Sequence, residues 1–474
     1  MLEAALPALM VQGCTSWAGK SLLTTALCRW FARQGLKVAP FKAQNMSNNA
    51  RVVDGGEMGA AQWLQAHAAM AEPDVRMNPV LLKPEAGGSQ VVRLGRYDPE
   101  LSGRAWADRS ERLWPVVESA LDELLASYDL VVIEGAGSPA EINLTANDIV
   151  NMRVAVRAAA PVLLAVDIDR GGAFAHLYGT WALVPRQHRH LIRGFVLNRF
   201  RGDAALLPPG PEQLERLTGV PTVGVVPMID HDLPDEDGAS LHGPARGGRP
   251  PVAIARYPSA SNLDEFTLLE QVADVRWATR PWHLDGAAMV ILPGSKHVAA
   301  DLTWLQSSGL GGAVKAAAQA GVRVLGICGG LQLLGERLAD PHGVDGSGAG
   351  LHLLPLVTTF GPAKVVGHRT VRLPAGWPPQ WGSLDGRDVH GYEIRHGRTI
   401  VAGAVDLLAA GSLAVASGNV AGWYLHGLLE DADLLEALFG TRPSRTLDTT
   451  FDLLADAVDA HLDTTYLRQL AGVA

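Results

Sequence analysis

Cysteine is almost missing from this chain: Cys14, Cys28 and Cys328 are the three in 474 residues, and no metal-like spacing relates them. Such sparse use argues against a disulfide framework and fits a reducing compartment, where each thiol is either buried filler or reactive. No run of about twenty uncharged apolar residues occurs, so no membrane-spanning helix is expected. Positive charge is not in excess either, with 40 basic residues against 49 acidic ones and a formal charge of -9. A mildly acidic chain has no general electrostatic reason to bind nucleic acid or an anionic membrane, although local phosphate sites stay open. The opening stretch MLEAALPALMVQG carries no basic n-region and runs straight into a strand pattern, so no secretion signal is expected and the protein reads as cytoplasmic. Internal repeats and low-complexity tracts are absent too.

What is present is a well-folded composition, 47% hydrophobic and 19% charged, in a chain too long for one ordinary core. Short apolar runs alternate with helical stretches. Ala8–Val11, Lys37–Pro40, Leu130–Ile133, Pro161–Val166 and Arg193–Leu197 read as buried parallel strands of a doubly wound α/β domain over residues 1–235. A polar, Gly/Pro-rich stretch at 236–250 reads as a linker. A second α/β domain follows over 251–440, with strands at Val252–Ala255, Met289–Leu292 and Val322–Ile327, a helix at Gly311–Ala320, and more turns and strand-like pieces after Leu353. Residues 441–474 read as a helical tail.

Gly13-Cys14-Thr15-Ser16-Trp17-Ala18-Gly19-Lys20-Ser21 lies between the first strand and a helix, a G-x-x-x-x-x-G-K-S phosphate loop one residue longer than the commonest spacing. Gly19 lets backbone N–H groups face phosphate oxygens, beside the positive helix end. Lys20 neutralises outer phosphates, and the Ser21 hydroxyl suits Mg²⁺. Other polar loops follow other strands of the same sheet, where open α/β sheets bind ligands. They are Lys42-Ala43-Gln44-Asn45-Met46-Ser47-Asn48-Asn49, Glu134-Gly135-Ala136-Gly137-Ser138 and Asp167-Ile168-Asp169-Arg170. Asp54-Gly55-Gly56-Glu57 adds carboxylates near a helix start.

In the second domain, Val322–Ile327 turns sharply at Cys328-Gly329-Gly330-Leu331-Gln332, the pattern of a nucleophile elbow. The helix start that follows can lower the thiol pKa and offer N–H donors to an oxyanion. His426, ending the run Trp423-Tyr424-Leu425, is the best-placed base; His352, His368, His390 and His396 are weaker candidates. Leu292-Pro293-Gly294-Ser295-Lys296 is a tight turn after a strand, suited to offering a further oxyanion N–H.

With these motifs in hand, G-I-C-G-G-L-Q and the distant Y-L-H-G resemble the class I-like glutamine amidotransferases. The N-terminal loop with F-K-A-Q-N-M, D-G-G-E and E-G-A-G-S resembles the dethiobiotin synthetase-like ATP domain. Their order, with Q-N-M-S-N-N, M-N-P-V-L-L-K-P, E-G-A-G-S-P-A-E-I-N-L and D-I-D-R-G-G, is similar to the cobyric acid synthase family from about residue 9 to residue 430. The resemblance implies a Cys328–His426 glutaminase with Gly294, Gly329 and Gln332 around the oxyanion and glutamine. It implies ATP at Gly13, Thr15, Gly19, Lys20, Ser21 and Lys42, with Mg²⁺ at Ser21, Asp54 and Glu134. The expected substrates are glutamine and adenosylcobyrinic acid a,c-diamide, amidated at its b, d, e and g carboxylates, with Gln44, Asn45, Asn48, Ser138 and Asn143 as candidate corrinoid contacts.

Two departures stand out. Many relatives carry an aspartate where this chain has Trp17, and ordinary class I amidotransferases follow the histidine with proline and glutamate, where this chain has Gly427 and Leu428. Three alternatives stay open at this point: the sister enzyme that amidates positions a and c, a non-enzymatic P-loop ATPase switch with a degenerate second domain, and a corrin-binding role.

Overall fold

Strands buried on both faces need layers on both sides, and the apolar runs at the start of the chain meet that need in one parallel sheet. A computed structural model describes residues 7–85, 88–234, 248–409 and 414–473. The N-terminal sheet has six strands in the spatial order Thr222–Pro227, Ile192–Phe200, Val162–Asp167, Ala8–Gly13, Leu130–Glu134, Val38–Phe41, all parallel. Every residue of Ala8–Gly13 is buried. The chain runs from this strand to Val38–Phe41, returns to Leu130–Glu134, then crosses to the other side. The winding direction therefore reverses around Ala8–Gly13, and ligands of such sheets bind beyond the carboxyl ends of the strands at the reversal.

The chain divides into two compact units, Met1–Ser47 with Glu57–Leu233 and Arg445–Ala474, and Asn48–Gly56 with Pro234–Ser444. The tail thus belongs to the N-terminal unit, as two helices, Leu447–His461 and Thr464–Ala471. Thr446 and Thr449 form a reciprocal cap at the first. Phe451, Leu454, Ala455 and Val458 fall on one helical stripe and are buried in the same core as Leu27, Trp30 and Phe31. Each large apolar side chain buried this way contributes about 1.5–3 kcal/mol. Arg29 pairs with Asp448 and Asp452, and Trp30 Nε1 donates to Asp459 at 2.6 Å.

In the second unit a parallel sheet runs Asp274–Ala278, Pro251–Ala255, Met289–Leu292, Arg323–Ile327, Val420–Trp423. Two antiparallel strands, Ala414–Ser417 and Leu407–Ala409, extend one edge. The strand-like pieces after Leu353 are chiefly a long antiparallel pair, Leu356–Arg372 with Asp388–Val401. Of the linker expected over 236–250, only 248–250 fall within the described residues. Among the described residues no helix is long and apolar enough to cross a membrane.

Candidate active site

Gly13–Ser21 leaves the carboxyl end of the central strand and enters the Lys20–Arg33 helix. Gly19 takes φ 87°, and a Cβ there would overlap the Asn198 side-chain amide, so this turn requires glycine. Asn198 Nδ2 donates to the Ala18 carbonyl at 3.0 Å and so holds the loop to the sheet. No side chain caps the helix start and its first turn has no acidic residue, which leaves its positive end directed at the loop. Lys20 Nζ lies 3.4 Å from the Thr15 carbonyl oxygen.

Glu134, fully buried where its strand ends, gathers the polar side chains. It accepts from Ser21 Oγ at 2.8 Å, Lys42 Nζ at 2.9 Å and Gln65 Nε2 at 2.5 Å. This set fits a nucleoside triphosphate with a divalent cation, since backbone N–H groups and lysines suit phosphates while a hydroxyl and a carboxylate suit the ion. Among the described residues no group of three or more His, Cys, Asp or Glu side chains could hold a metal unaided. Asp54, expected as an ion ligand, belongs to the other unit and sits exposed in a turn with φ 50°. Glu57, its neighbour in D-G-G-E, is buried in an ion pair with Lys83. Trp17 takes φ 68° and is 42% exposed.

The backbone that follows Glu134 walls a cavity of about 650 Å³, whose lining includes Gln44, Met46, Ser138, Ile149, Arg153 and His188. Of the expected corrinoid contacts, Gln44 and Ser138 face this space. Asn45 is buried and donates to Gln62 Oε1 at 3.0 Å, a structural bond. Asn143 is exposed and does not line the cavity, and Asn48 belongs to the C-terminal unit.

In the C-terminal unit Cys328 sits at the elbow with φ 51° and ψ -104°, a strained conformation for a residue with a side chain. The glycines explain how the elbow closes. A Cβ on Gly330 would overlap the Leu292 carbonyl oxygen, and one on Gly329 would lie 2.6 Å from the Ser295 backbone nitrogen. The Gly294–Ser295 backbone is thereby brought against the elbow, and a Cβ on Gly294 would lie 2.8 Å from His426 Cε1. Gln332 is buried and donates to the Tyr424 hydroxyl at 3.2 Å.

His426 is fully buried within hydrogen-bonding reach of the Cys328 sulfur. Its Nδ1 meets Glu265 Oε1 at 3.0 Å, and Glu265 Oε2 accepts from the Gly427 backbone at 2.8 Å. Burial alone would push the imidazole down, but the Glu265 carboxylate and the neighbouring Cys328 sulfur together hold its pKa up, at about 10. Glu265 is the acid that the Gly427-Leu428 sequence lacks beside the histidine. It comes from 161 residues upstream, on the short 3-10 turn Leu263–Phe266, and sequence reasoning missed it. Its only local signal is an Asp-Glu pair flanked by Leu263 and Phe266, which reads equally well as a surface turn. The other histidines are engaged or exposed: His368 Nε2 meets the Val52 carbonyl at 3.0 Å, His390 pairs with Thr370, His396 with Gly361, and His352 is exposed. Burial raises the Cys14 thiol to about 12 and raises the Cys28 thiol as well, so both stay protonated.

Residues 9–237 match the CobQ/CobB/MinD/ParA nucleotide binding domain, and residues 251–434 match the CobB/CobQ-like glutamine amidotransferase domain. A cobyric acid synthase of Polaromonas sp. (strain JS666 / ATCC BAA-500) is 54% identical over 500 residues, with 97% of each chain covered. The chain belongs to the cobyric acid synthase family. The cobyric acid synthase of Variovorax paradoxus (strain S110) is 57% identical, covering 97% of this chain and 98% of the relative. That of Polaromonas naphthalenivorans (strain CJ2) is 56% identical with the same coverage. Membership of this family makes the protein a glutamine-dependent carbon–nitrogen ligase, with a nucleotide-binding half and an amidotransferase half.

Proposed function

We propose that this chain converts the b, d, e and g carboxylates of adenosylcobyrinic acid a,c-diamide to amides, using ATP, Mg²⁺ and ammonia released from glutamine at Cys328. The observation that carries the reading is the Cys328–His426–Glu265 relay, in a chain alike over 97% of its length to cobyric acid synthases. Glu265 fixes the imidazole through Nδ1, and with its pKa near 10 the ring holds its proton at neutral pH, leaving the Nε2 proton facing the Cys328 sulfur. The sulfur attacks the side-chain amide carbon of glutamine, and the Gly329 and Ser295 backbone N–H groups receive the oxyanion. His426 returns the proton to the departing nitrogen, ammonia leaves, and water hydrolyses the glutamyl thioester to glutamate.

On the nucleotide side, the corrinoid carboxylate attacks the γ-phosphorus of ATP and ADP departs. Ammonia then attacks the acyl phosphate and displaces inorganic phosphate. The Gly13–Ser21 backbone with Lys20 holds the phosphates, and Lys42 lies where charge builds on the transferred group. Ser21 and Glu134 would hold Mg²⁺, which would supply charge neutralisation at the phosphates. The cavity beside Glu134 suits the corrinoid: Met46 and Ile149 offer apolar surface to the ring, and Arg153 and His188 suit its carboxylates.

The test is mass spectrometry of the corrinoid after incubation with protein, ATP, Mg²⁺ and glutamine. A stepwise replacement of hydroxyl by amino groups ending at cobyric acid supports the proposal. An unchanged corrinoid alongside continued glutamine hydrolysis would overturn the substrate assignment and leave the glutaminase intact.

A further inference from the structure

The segment Asn48–Gly56 follows the Lys42–Ser47 loop in sequence, yet it folds as part of the C-terminal unit. Its residues bond to the turns that carry the glutaminase acid and base. Asn49 Oδ1 accepts from the Leu263 backbone at 3.1 Å, two residues before Glu265. The Ala50 backbone donates to Asn262 Oδ1 at 3.4 Å, and Asn262 Nδ2 donates to the Tyr392 hydroxyl at 3.1 Å. Arg51 is buried, and its guanidinium pairs with Asp264 and spans both oxygens of Glu430, one of them at 2.8 Å. Asp264 adjoins Glu265 on the Leu263–Phe266 turn, and Glu430 ends the Leu428–Glu430 turn that begins just after Gly427. One guanidinium therefore ties together the turn that supplies the acid and the turn that follows the base.

A second path leads to the same imidazole. Arg51 Cζ lies 5.4 Å from the centre of the Tyr392 ring, whose other neighbour is His426, stacked at 5.5 Å with 26° between the planes. Tyr392 and His426 also exchange backbone hydrogen bonds, at 3.1 and 2.9 Å. Charge bears on the triad as well. Asp264 and Glu265 are buried carboxylates, the half-buried Glu430 lies close to them, and without a cation beside Asp264 and Glu430 their repulsion would fall on Glu265. A buried ion cluster is a weak source of stability, because desolvation cancels most of its attraction. Its position beside a catalytic relay points to a role in geometry.

We propose that Arg51, supported by Asn49, is a positioning residue for glutamine hydrolysis: it bridges Asp264 and Glu430 and so holds Glu265 and His426 in register with Cys328. The inference rests on the glutaminase reading given above. It makes the glutaminase dependent on a residue that belongs, by sequence, to the nucleotide-binding half, so the amidotransferase half of the chain does not by itself contain a complete triad support.

The test uses the full chain with Arg51→Met and Arg51→Lys, and Cys328→Ala as the reference. Glutamine hydrolysis, amidation driven by ammonium salts, and thermal melting are measured on each. Arg51→Met is expected to lower glutaminase kcat about 100-fold, the usual cost of a displacement of about 1 Å at a catalytic group, with KM little changed. Ammonium-driven amidation should stay within about twofold of the wild type, since the ion pairs of Arg51 are to Asp264 and Glu430, on the turns beside the glutaminase relay. Arg51→Lys keeps the charge without the fork, so it should recover part of kcat, to within about tenfold of the wild type. Wild-type glutaminase kcat in both variants would overturn the proposal, as would a parallel fall of both activities. If Arg51→Met does not fold, Arg51→Lys decides alone by the same split between the two activities. Glutamine hydrolysis surviving in Cys328→Ala would instead overturn the glutaminase reading, whatever the Arg51 variants do.

Discussion

Replacing Glu265 with glutamine keeps the shape of the buried acid and removes its charge, and the structure allows the consequence to be sized. The His426 pKa stands at about 10 against an ordinary 6.5, despite burial that pulls it the other way. At about 1.4 kcal/mol for each tenfold change in acidity, that separation corresponds to roughly 5 kcal/mol in favour of the imidazolium. The Glu265 carboxylate is the largest of the influences that hold the imidazolium, and it must offset burial as well, so its removal should cost at least about 2–3 kcal/mol of that preference. The expected loss in glutaminase kcat/KM is then about 100-fold. The profile should move as well. Without the carboxylate the His426 pKa falls, so the alkaline limb of the pH–rate curve should move down from near 10 to about 8 or lower. Ammonia release assayed from about pH 5 to pH 10 reads both effects. A Glu265→Gln enzyme within about threefold of the wild type, with an unmoved alkaline limb, would refute the assignment of Glu265 as the orienting acid.

The same pair has a signature in stability. A folded-state pKa raised above the unfolded value stabilises the fold fully below pH 6.5, and that stabilisation is lost as pH rises through about 10. The melting-temperature gap between the wild type and Glu265→Gln should therefore narrow steadily over that window. Gly330→Ala should lose glutaminase and at least about 1–3 kcal/mol of stability in chemical denaturation, because its Cβ meets the immovable Leu292 carbonyl. Glu134→Gln should leave glutamine hydrolysis standing while ATP-dependent amidation falls by about 100-fold or more, since it strips the charge that gathers Ser21 and Lys42. Equal loss of both activities in product assays would count against that separation of roles.

Much of the architecture is visible in the chain because it is local. Ala8–Gly13, Leu130–Glu134 and Val162–Asp167 are continuous apolar runs, and such runs form buried parallel strands wherever the chain places them. The two helices of the tail show their apolar stripe, although nothing in that stripe says which surface it covers. Cys328 stands out because an elbow needs its glycines beside it in sequence. Glu265 does not, because an orienting acid need only be near in space. Arg51 was invisible for the same reason, reaching Asp264 across 213 positions of sequence and Glu430 across 379. The Asp54-Gly55-Gly56-Glu57 motif shows the other side of this: its two acids look alike in sequence, yet Asp54 lies in an exposed turn while Glu57 is buried and matched to Lys83.

The most direct measurement follows the amide nitrogen. The protein is incubated with the corrinoid, ATP, Mg²⁺ and glutamine labelled with ¹⁵N in its side-chain amide, and the product amides are read by mass spectrometry. The wild type should place the label in the corrinoid. Cys328→Ala should place none from glutamine but should still incorporate it from labelled ammonium. Unlabelled product from the wild type, or label transferred from glutamine by Cys328→Ala, would contradict the account.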